Sequence, residues 1–509
     1  MGKFFVTTPI YYVNDVPHIG HAYTTVAADV LARFHRWLGD DVFFLTGTDE
    51  HGVNIYQVAS AQGVDPKEWV DRVAAEFKRA WADLLISNDY FIRTTDPRHE
   101  AGVRAFMEKL YASGDVYRGR YEGKYCVNCE RFYSEDELTD GLCPIHLRPP
   151  VWYAEDNYFF RLSKYSGRLI AAIENPDDPN HYEVEPPARR NEVLGKVRAG
   201  LLDISISRAI PWGIPLPFDP DQTVYVWVDA LLNYITAIGF HDDPETFARY
   251  WPAELHLMAK DIVWFHAVIW PALLMAVGLR PPRRVFAHGF FTVNGQKMSK
   301  SLGNVIRPQD LVARFGVDAT RWLLVSQFPF GQDGDISEGL MVQRYNAELA
   351  NDLGNLVNRT LAMINRYCEG VVPEPGPEEG PDAELKAAAA EAGQALQTAL
   401  LRLDFSGAVG AINALAARTN RYIEETAPWN LARTDRRRLG TVLYNQAEVL
   451  RIVAHLISPF MPQAAQTICR YIGCELDLSR PPAEVVRWGH LPARVRVEAS
   501  PKPLFPRIT

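Results

Sequence analysis

The chain has 509 residues, of which 47% are hydrophobic and 23% charged, and its formal net charge is -9. A chain of this size forms about two to four domains, and its composition excludes disordered, collagen-like and fibrous proteins. With 53 basic and 62 acidic residues it does not coat nucleic acid non-specifically, although a local basic face could still bind RNA. Because no apolar run is long enough for a membrane span or a signal peptide, we expect a cytoplasmic protein.

The first elements predict a parallel sheet. Residues 4–7 form a short apolar strand, a helical stripe follows at Val26, Val30, Leu31, Phe34, Trp37 and Leu38, and residues 42–46 are typical of a buried strand. Strand, helix and strand at this spacing make a βαβ unit. Strand-like runs return at residues 223–228 and 285–291, so we predict a sheet that is interrupted by an insert.

The rest of the chain is predicted to be helical. From about Glu338 onward, helical patterns cover residues 340–366, 383–403, 406–425 and 436–457, and the proline-rich segment 372–381 connects two of them. We therefore expect a Rossmann-like, parallel-sheet α/β catalytic domain in two halves, an insert and an α-helical bundle. Their expected ranges are 1–115 and 216–337 for the two halves, 116–215 for the insert and 338–509 for the bundle.

Two histidines lie where the first strand passes into the first helix. His18 and His21 are three residues apart, so both imidazoles can face one phosphate at a helix N-terminus. Gly20 between them leaves room for a base or ribose against the backbone. An isolated pair of this kind is more often a surface feature, but the carboxyl edge of a first parallel strand is where open α/β sheets bind ligands.

A second segment supplies positive charge. Lys297, Ser299 and Lys300 lie in a loop with glycines on both sides after a late strand, and such a loop can close over a triphosphate. Alone it is more often a solvated basic loop. Together with His18 and His21 it is much more specific.

Four residues have the spacing of a structural zinc site. Cys126 and Cys129 form one pair, and Cys143 and His146 form the other after thirteen intervening residues. Three thiolates and one imidazole complete a tetrahedron around Zn²⁺ with no open position for catalysis. The surrounding residues are acidic, which argues against a zinc module that binds nucleic acid.

Aromatic residues near the predicted strand ends suggest an apolar pocket. Tyr12, Trp227 and Tyr234 are accompanied by Asp49, a carboxylate that could bind an ammonium group. Most aromatic residues are simply part of the core, but this combination suits a hydrophobic amino acid whose carboxylate is activated by ATP.

Segments 18–21 (HIGH) and 297–301 (KMSKS) resemble the two signature sequences of class I aminoacyl-tRNA synthetases. Segments 7–14, 46–52, 227–230 and 260–262 are similar, more closely, to methionyl-tRNA synthetases, and the likeness extends over the whole chain. The resemblance implies a ligase that converts methionine and ATP to methionyl-adenylate and pyrophosphate. The same ligase would then transfer the methionyl group to the 3′ end of initiator and elongator tRNA(Met).

The resemblance also assigns roles to residues. It implies that Asp49 binds the methionine ammonium group and that Arg208 lies near the reacting carboxylate. ATP, with Mg²⁺, would be bound by His18, Gly20, His21, Lys297, Ser299 and Lys300. The methionine side chain would lie among Ile10, Tyr12, Trp227, Ala230, Leu231, Tyr234, Ile262 and His266. The CAU anticodon would be bound by Asn355, Arg359 and Trp429.

The chain departs from some relatives. It has Leu231 where others have proline, a single zinc knuckle where some have two, and no C-terminal barrel of the kind that makes some relatives dimers, so we expect a monomer. The insert is too short for the editing domain of isoleucine, valine and leucine synthetases. A non-catalytic RNA-binding protein with a synthetase fold is the alternative, but intact histidines and lysines argue against it.

Overall fold

The fold was analysed in a computed structural model of the chain. It describes residues 2–127, 131–144, 147–298 and 304–509, and at positions 121, 131, 132, 136 and 297 it describes the backbone alone. Within these residues no helix is both long and apolar enough to cross a membrane.

Short strands form one central sheet and three smaller ones. In chain order they are β1 (Lys3–Tyr12), β2 (Asp41–Asp49), β3 (Tyr90–Arg93), β4 (Val116–Cys126), β5 (Arg131–Tyr133), β6 (Val151–Phe160), β7 (Glu183–Glu185), β8 (Ile204–Ser205), β9 (Ser207–Arg208), β10 (Pro215–Leu216), β11 (Asp219–Val224), β12 (Leu255–Ala259), β13 (Arg284–His288), β14 (Phe291–Val293), β15 (Gln296–Lys297) and β16 (Gly334–Ile336).

The helices cover the central sheet and form the C-terminal part. In chain order they are α1 (Ile19–Leu38), α2 (Val53–Ala61), α3 (Pro66–Asp83), α4 (Pro97–Ala112), α5 (Ser166–Glu174), α6 (Pro187–Arg198), α7 (Val226–Thr236), α8 (Pro244–Tyr250), α9 (Trp270–Ala276), α10 (Pro308–Phe315), α11 (Val317–Ser326), α12 (Glu338–Arg344), α13 (Asn355–Cys368), α14 (Gly380–Leu401), α15 (Phe405–Thr426), α16 (Pro428–Thr434), α17 (Arg436–Ile457), α18 (Pro462–Tyr471) and α19 (Pro482–Val485). Two π-helical segments, Phe265–Ile269 and Tyr345–Gly354, precede α9 and α13.

The central sheet is parallel throughout, in the order β3-β2-β1-β12-β13-β7. Strand β1 pairs with β12 only at Val6 and Thr7, whereas it stays paired with β2 as far as Tyr12, opposite Asp49, after an irregularity between Thr7 and Ile10. The carboxyl ends of β1 and β12 therefore separate. Because strand order reverses at this point, the resulting crevice is where a parallel α/β sheet binds its ligand.

An antiparallel sheet, β5-β4-β6-β8, interrupts the α/β region. Its main component is a ribbon of β4 and β6, paired from Val116 with Phe160 to Tyr125 with Val151. After β6 the chain passes through α5 to β7, the edge strand of the central sheet, and then through α6 to β8, which pairs with β6. The predicted insert, residues 116–215, therefore contains one strand of the central sheet.

The α/β region and the helical region share one hydrophobic core. A single cluster of buried side chains runs from β1 and α1 to α17 and α18. At its centre the Arg321 guanidinium of α11 forms an ion pair with Asp29 of α1 at 2.7 Å, and it donates to the carbonyl oxygens of Pro459 and Phe460, just beyond α17. Both side chains of this pair are fully buried.

The parallel-sheet α/β region followed by a helical region confirms the predicted fold class. Two boundaries differ. Strand β1 continues beyond the predicted strand 4–7 as far as Tyr12, because the irregularity after Thr7 accommodates Pro9 while the pairing with β2 resumes at Ile10. The predicted strand 223–228 is wrong in its second half: β11 ends at Val224 and α7 begins at Val226.

Candidate active site

The N-terminus of α1 lies at the crevice and is capped by histidines. The Nδ1 of His18 accepts from the Gly20 amide at 3.1 Å, and the Nδ1 of His21 accepts from the His18 amide at 3.3 Å. The two rings stack with their centroids 3.8 Å apart. Since Nδ1 is an acceptor in each ring, a neutral ring carries its proton on Nε2, where it can donate to a phosphate oxygen.

The environment of His21 keeps it neutral. Burial and, to a smaller extent, the neighbouring His18 lower the pKa of His21 well below its usual range. The His21 ring packs against the rings of Tyr11 and Phe77, with distances between ring centroids of 4.8 and 5.4 Å. The Tyr11 hydroxyl, which hydrogen-bonds to Thr25 at 2.7 Å, also donates to the His21 carbonyl oxygen, so the first turn of α1 is fixed to β1.

The segments around the two signature motifs meet. The Ile19 amide donates to the carbonyl oxygen of Ile306 at 3.0 Å, and a Cβ placed on Gly20 would lie 3.7 Å from the Met298 methyl group. Met298 is the second residue of the KMSKS segment. Ser299 and Lys300 lie outside the described residues, as does the side chain of Lys297.

The residues of the predicted methionine pocket belong to the core on the other side of β1. Ile10, Tyr12, Trp227 and Ile262 are half-buried and pack against the core that contains Leu231 and Tyr234. Trp227 stacks on Phe265 with centroids 3.8 Å apart, and Ala230, buried, lies between Trp227 and Leu231 on α7. Six of the residues predicted from the sequence therefore belong to one apolar cluster: Ile10, Tyr12, Trp227, Leu231, Tyr234 and Ile262.

A histidine at the base of the pocket has a defined tautomer. The Nδ1 of His266 lies 2.9 Å from the Ile262 carbonyl oxygen, which can only accept, so Nδ1 carries the proton. The Nε2 therefore accepts from the Tyr234 hydroxyl at 2.7 Å. Burial lowers the pKa of His266 to about 4, so the ring is neutral near pH 7.

The loop after β2 is held in place by buried polar contacts. Glu50, next to Asp49, accepts two hydrogen bonds from the Arg93 guanidinium at 2.7 and 2.8 Å. The Nδ1 of His51 lies 2.7 Å from a carboxylate oxygen of Asp229 on α7. No role for His51 is predicted from the sequence. Only the cluster of polar residues in segment 46–52 points to this position.

Arg208, at the end of β9, is buried. Its Nη1 donates to the Ser205 hydroxyl at 2.7 Å and to the Ser207 carbonyl oxygen at 2.6 Å. The guanidinium lies 4.3 Å from the centre of the Tyr225 ring, just before α7. Arg208 is therefore next to the helix that carries Trp227.

Two of the four predicted zinc ligands are described. Cys126 and Cys143 are buried and share a small cluster with Tyr133. Cys129 and His146 lie outside the described residues, and within the described ranges no group of three or more His, Cys, Asp or Glu side chains is placed to hold a metal ion.

The predicted anticodon residues lie on the helical region. Asn355 is exposed at the first residue of α13, and Arg359 follows one turn later. The Arg359 guanidinium forms an ion pair with Glu424, near the end of α15, at 2.6 Å. Trp429, on the next helix, is 41% exposed.

Two family models match the chain. The model described as tRNA synthetases class I (M) matches residues 4–149 and 133–361. The model described as the anticodon binding domain of methionyl tRNA ligase matches residues 372–509.

Curated proteins and solved structures are similar over nearly the whole chain. A methionine–tRNA ligase of Caldanaerobacter subterraneus is 48% identical, with 99% of this chain and 79% of the relative covered. One of Streptomyces coelicolor is 46% identical, with 99% and 96% covered. The structure of Mycobacterium tuberculosis methionyl-tRNA synthetase in complex with methionyl-adenylate has a TM-score of 0.94 and 43% identity, and both chains are covered completely.

Proposed function

The chain belongs to the methionyl-tRNA synthetase family of class I aminoacyl-tRNA synthetases, and we infer from this that it is a methionine–tRNA ligase. It activates methionine with ATP to methionyl-adenylate and pyrophosphate, and then transfers the methionyl group to tRNA(Met). The observation that carries this conclusion is that both flanks of the KMSKS segment, at Met298 and Ile306, lie next to the first turn of α1.

In the first step the methionine carboxylate attacks the α-phosphorus of ATP and pyrophosphate leaves. His18 and His21 donate from Nε2 to phosphate oxygens, and His21, which is neutral, orients ATP rather than balancing its charge. Lys297 and Lys300 supply positive charge to the departing pyrophosphate, together with the Mg²⁺ that accompanies ATP. Gly20 leaves space for the nucleotide against α1.

Methionine binds with its ammonium group on Asp49 and its side chain in the aromatic pocket. The thioether is polarizable and packs well against Tyr12, Trp227 and Tyr234. Because the Nε2 of His266 is already an acceptor for the Tyr234 hydroxyl, it has no donor to offer the sulfur. His266 therefore contributes shape and dispersion to the methionine site rather than a hydrogen bond.

Arg208 lies on the insert side of the pocket and orients the reacting carboxylate. In the second step the terminal ribose hydroxyl of tRNA attacks the carbonyl carbon of the adenylate, and AMP leaves. Positioning of the two reactants provides most of the acceleration. Support for the role of Arg208 comes from its burial against Tyr225, at the start of α7.

The insert would hold one structural Zn²⁺ through Cys126, Cys129, Cys143 and His146. The described pair fits this group, because two buried thiols lie together in a segment with a very small apolar core of its own. The metal would order the tip of the insert.

The anticodon is bound by Asn355, Arg359 and Trp429. An exposed indole stacks on an unpaired base, and polar side chains bind base edges. The enzyme acts as a cytoplasmic monomer.

The test is ATP–pyrophosphate exchange by the purified protein with each of the twenty amino acids, without tRNA. We expect exchange with methionine alone. Exchange with another amino acid would contradict the assigned pocket. No exchange in a folded, zinc-replete sample would favour a non-catalytic RNA-binding protein. Lys300→Ala should abolish exchange while methionine binding is retained.

A further inference from the structure

Behind the methionine pocket, a buried aspartate joins two histidines. One oxygen of Asp229 lies 2.7 Å from His51 Nδ1, and the other lies 2.8 Å from His99 Nε2. His99 Nδ1 lies 2.7 Å from the hydroxyl of Thr236, the last residue of the helix that carries Asp229. Asp229 is completely buried and the two histidines are nearly so.

The contact between His51 and Asp229 shifts the pKa values of both groups. Burial alone would lower the pKa of His51, but Asp229, with smaller contributions from Glu100 and Glu50, raises it above its usual value. Burial would raise the pKa of Asp229, yet His51 and His99 hold it below its usual value.

The other charged groups around His51 have their own partners. Glu50 is bound by Arg93, and Glu100, on α4, is bound by Arg104 at 3.1 Å. At pH values below the raised pKa of His51, His51 and Asp229 form a buried ion pair, and separating its members would then leave a charge without a partner inside the protein.

The ion pair connects the two halves of the methionine site. His51 is two residues after Asp49, which would bind the ammonium group, and Asp229 is two residues after Trp227, which would bind the side chain. A shift of the β2 loop relative to α7 would have to break a contact to Asp229. His99 ties the same carboxylate to α4, so the bridge is fixed from a third element.

We propose that His51, Asp229 and His99 are positioning residues that set the distance between Asp49 and the aromatic wall at Trp227. They thereby determine the affinity for methionine without touching it. The inference rests on the proposed function, since it assumes that Asp49 and Trp227 bind the two ends of this amino acid.

Two substitutions at each histidine separate positioning from general stability. In His51→Asn the amide nitrogen can take the place of Nδ1 and donate to Asp229 without a charge, whereas His51→Ala removes the donor. In His99→Gln the amide nitrogen can take the place of Nε2, whereas His99→Ala removes it. The matched control is His35→Ala, which breaks a similar contact, His35 Nδ1 to Asp40 at 2.8 Å, near the far end of α1.

Methionine-dependent ATP–pyrophosphate exchange is measured for each variant, with a thermal melt to verify folding. We expect His51→Ala and His99→Ala to raise the KM for methionine about tenfold, the size of one lost hydrogen bond, with the KM for ATP unchanged. His51→Asn and His99→Gln should have a KM for methionine close to that of the wild type. His35→Ala should leave the KM for methionine as in the wild type.

The pH profile provides a readout that a structural role would not change. Because the pKa of His51 is raised, its charge is present at pH values below that pKa and is lost as the pH rises through it. The wild-type KM for methionine should therefore increase as the pH rises from neutral to mildly alkaline. In His51→Asn this increase should be absent, while effects of the methionine ammonium group itself are common to both proteins.

The proposal is overturned if folded His51→Ala or His51→Asn has the methionine KM and pH profile of the wild type. Should the alanine variants not fold, His51→Asn and its pH profile decide the question. A wild-type protein without methionine-dependent exchange would instead refute the proposed function. The two failures are thus distinguishable.

Discussion

The amide of Ile19 donates to the carbonyl oxygen of Ile306 across a gap of 287 residues, at 3.0 Å. This bond fixes the segment that follows the KMSKS loop to the first turn of α1, so the loop is anchored next to the histidines at one end. On the other side of the loop, Met298 reaches Gly20. Among the described residues, both flanks of the KMSKS loop therefore lie next to the first turn of α1.

Gly20→Ala should impair adenylate formation without unfolding the protein. The new Cβ would lie 2.9 Å from Cε1 of His18, so the ring would have to move from its present position. We expect methionine-dependent exchange to fall about 100-fold, as misplaced catalytic groups typically cost. Gly410→Ala, in α15 with no atom within 4 Å of the new Cβ, is the control and should retain full activity. Equal activity of the two variants would contradict a role for the His18 position.

Tyr234→Phe should weaken methionine binding. It removes the hydroxyl that donates to His266 and leaves a buried nitrogen without its hydrogen bond, at a cost of about 1–3 kcal/mol. We expect a roughly tenfold higher KM for methionine and an unchanged KM for ATP. Tyr444→Phe, which loses a buried bond to the Leu491 carbonyl oxygen, should lower the melting temperature alone. If Tyr234→Phe and Tyr444→Phe changed the KM for methionine equally, a specific contribution of Tyr234 would be excluded.

Trp429→Ala should separate the two steps of the reaction. Its exposed indole adds little to stability, but stacking on a base contributes about 1–3 kcal/mol. We expect kcat/KM for tRNA charging to fall about 10- to 100-fold, with unchanged pyrophosphate exchange. Trp152→Ala, at a more exposed tryptophan of β6, serves as the control for loss of an indole. If Trp429→Ala slowed exchange as much as charging, the anticodon assignment would be wrong.

Acid should destabilise the protein through its buried histidines. Burial lowers the pKa of both His266 and His288 to about 4, whereas an unfolded histidine titrates near 6.5. The unfolded state therefore binds more protons between these values, and stability that is complete above about pH 6.5 is lost as the pH falls toward 4. Each group contributes about 3 kcal/mol.

Thermal melts between pH 7.5 and 4.5 test this acid sensitivity. His288→Gln should give a shallower decrease in melting temperature with falling pH, and substitution of the exposed His490 by glutamine should not alter the slope. A melting temperature that is independent of pH in this range would refute the argument.

Cys126→Ala should remove zinc from the protein. Elemental analysis should find one zinc per wild-type chain and much less in the variant, because a site that loses one of four ligands binds far more weakly. Cys368→Ala, at the end of α13, should retain the metal. A full zinc content in Cys126→Ala would disprove the ligand assignment.

Local chemistry made part of the site predictable. A polar residue before a helix predicts an N-cap, and His18 is one, with its side chain accepting from the first turn. The start of α7 was missed for an equally physical reason. Val224, Val226 and Val228 alternate as in a strand, and a short buried helix has the same apolar composition as a buried strand.

Long-range pairings could not be predicted in this way. His51 and Asp229 are 178 residues apart, and nothing in either local segment indicates the other. The same is true of Arg321 and Asp29, since a charged residue in an apolar helix is normally expected on its exposed face. Pairs of this kind depend on how helices pack, which composition and periodicity do not encode.

The buried pair of Arg321 and Asp29 limits how the protein can be divided. A fragment that ends after β16 would retain both charges but lose the Pro459 and Phe460 carbonyl oxygens that complete the hydrogen bonding of the guanidinium. The fragment would also expose the apolar surface of α11 that now faces α15 and α18. A shortened enzyme would therefore need new polar residues on this surface to remain dissolved and active. The chain therefore cannot be cut at the start of the helical region, where binding of tRNA is proposed to begin, without loss of contacts that stabilise the α/β region.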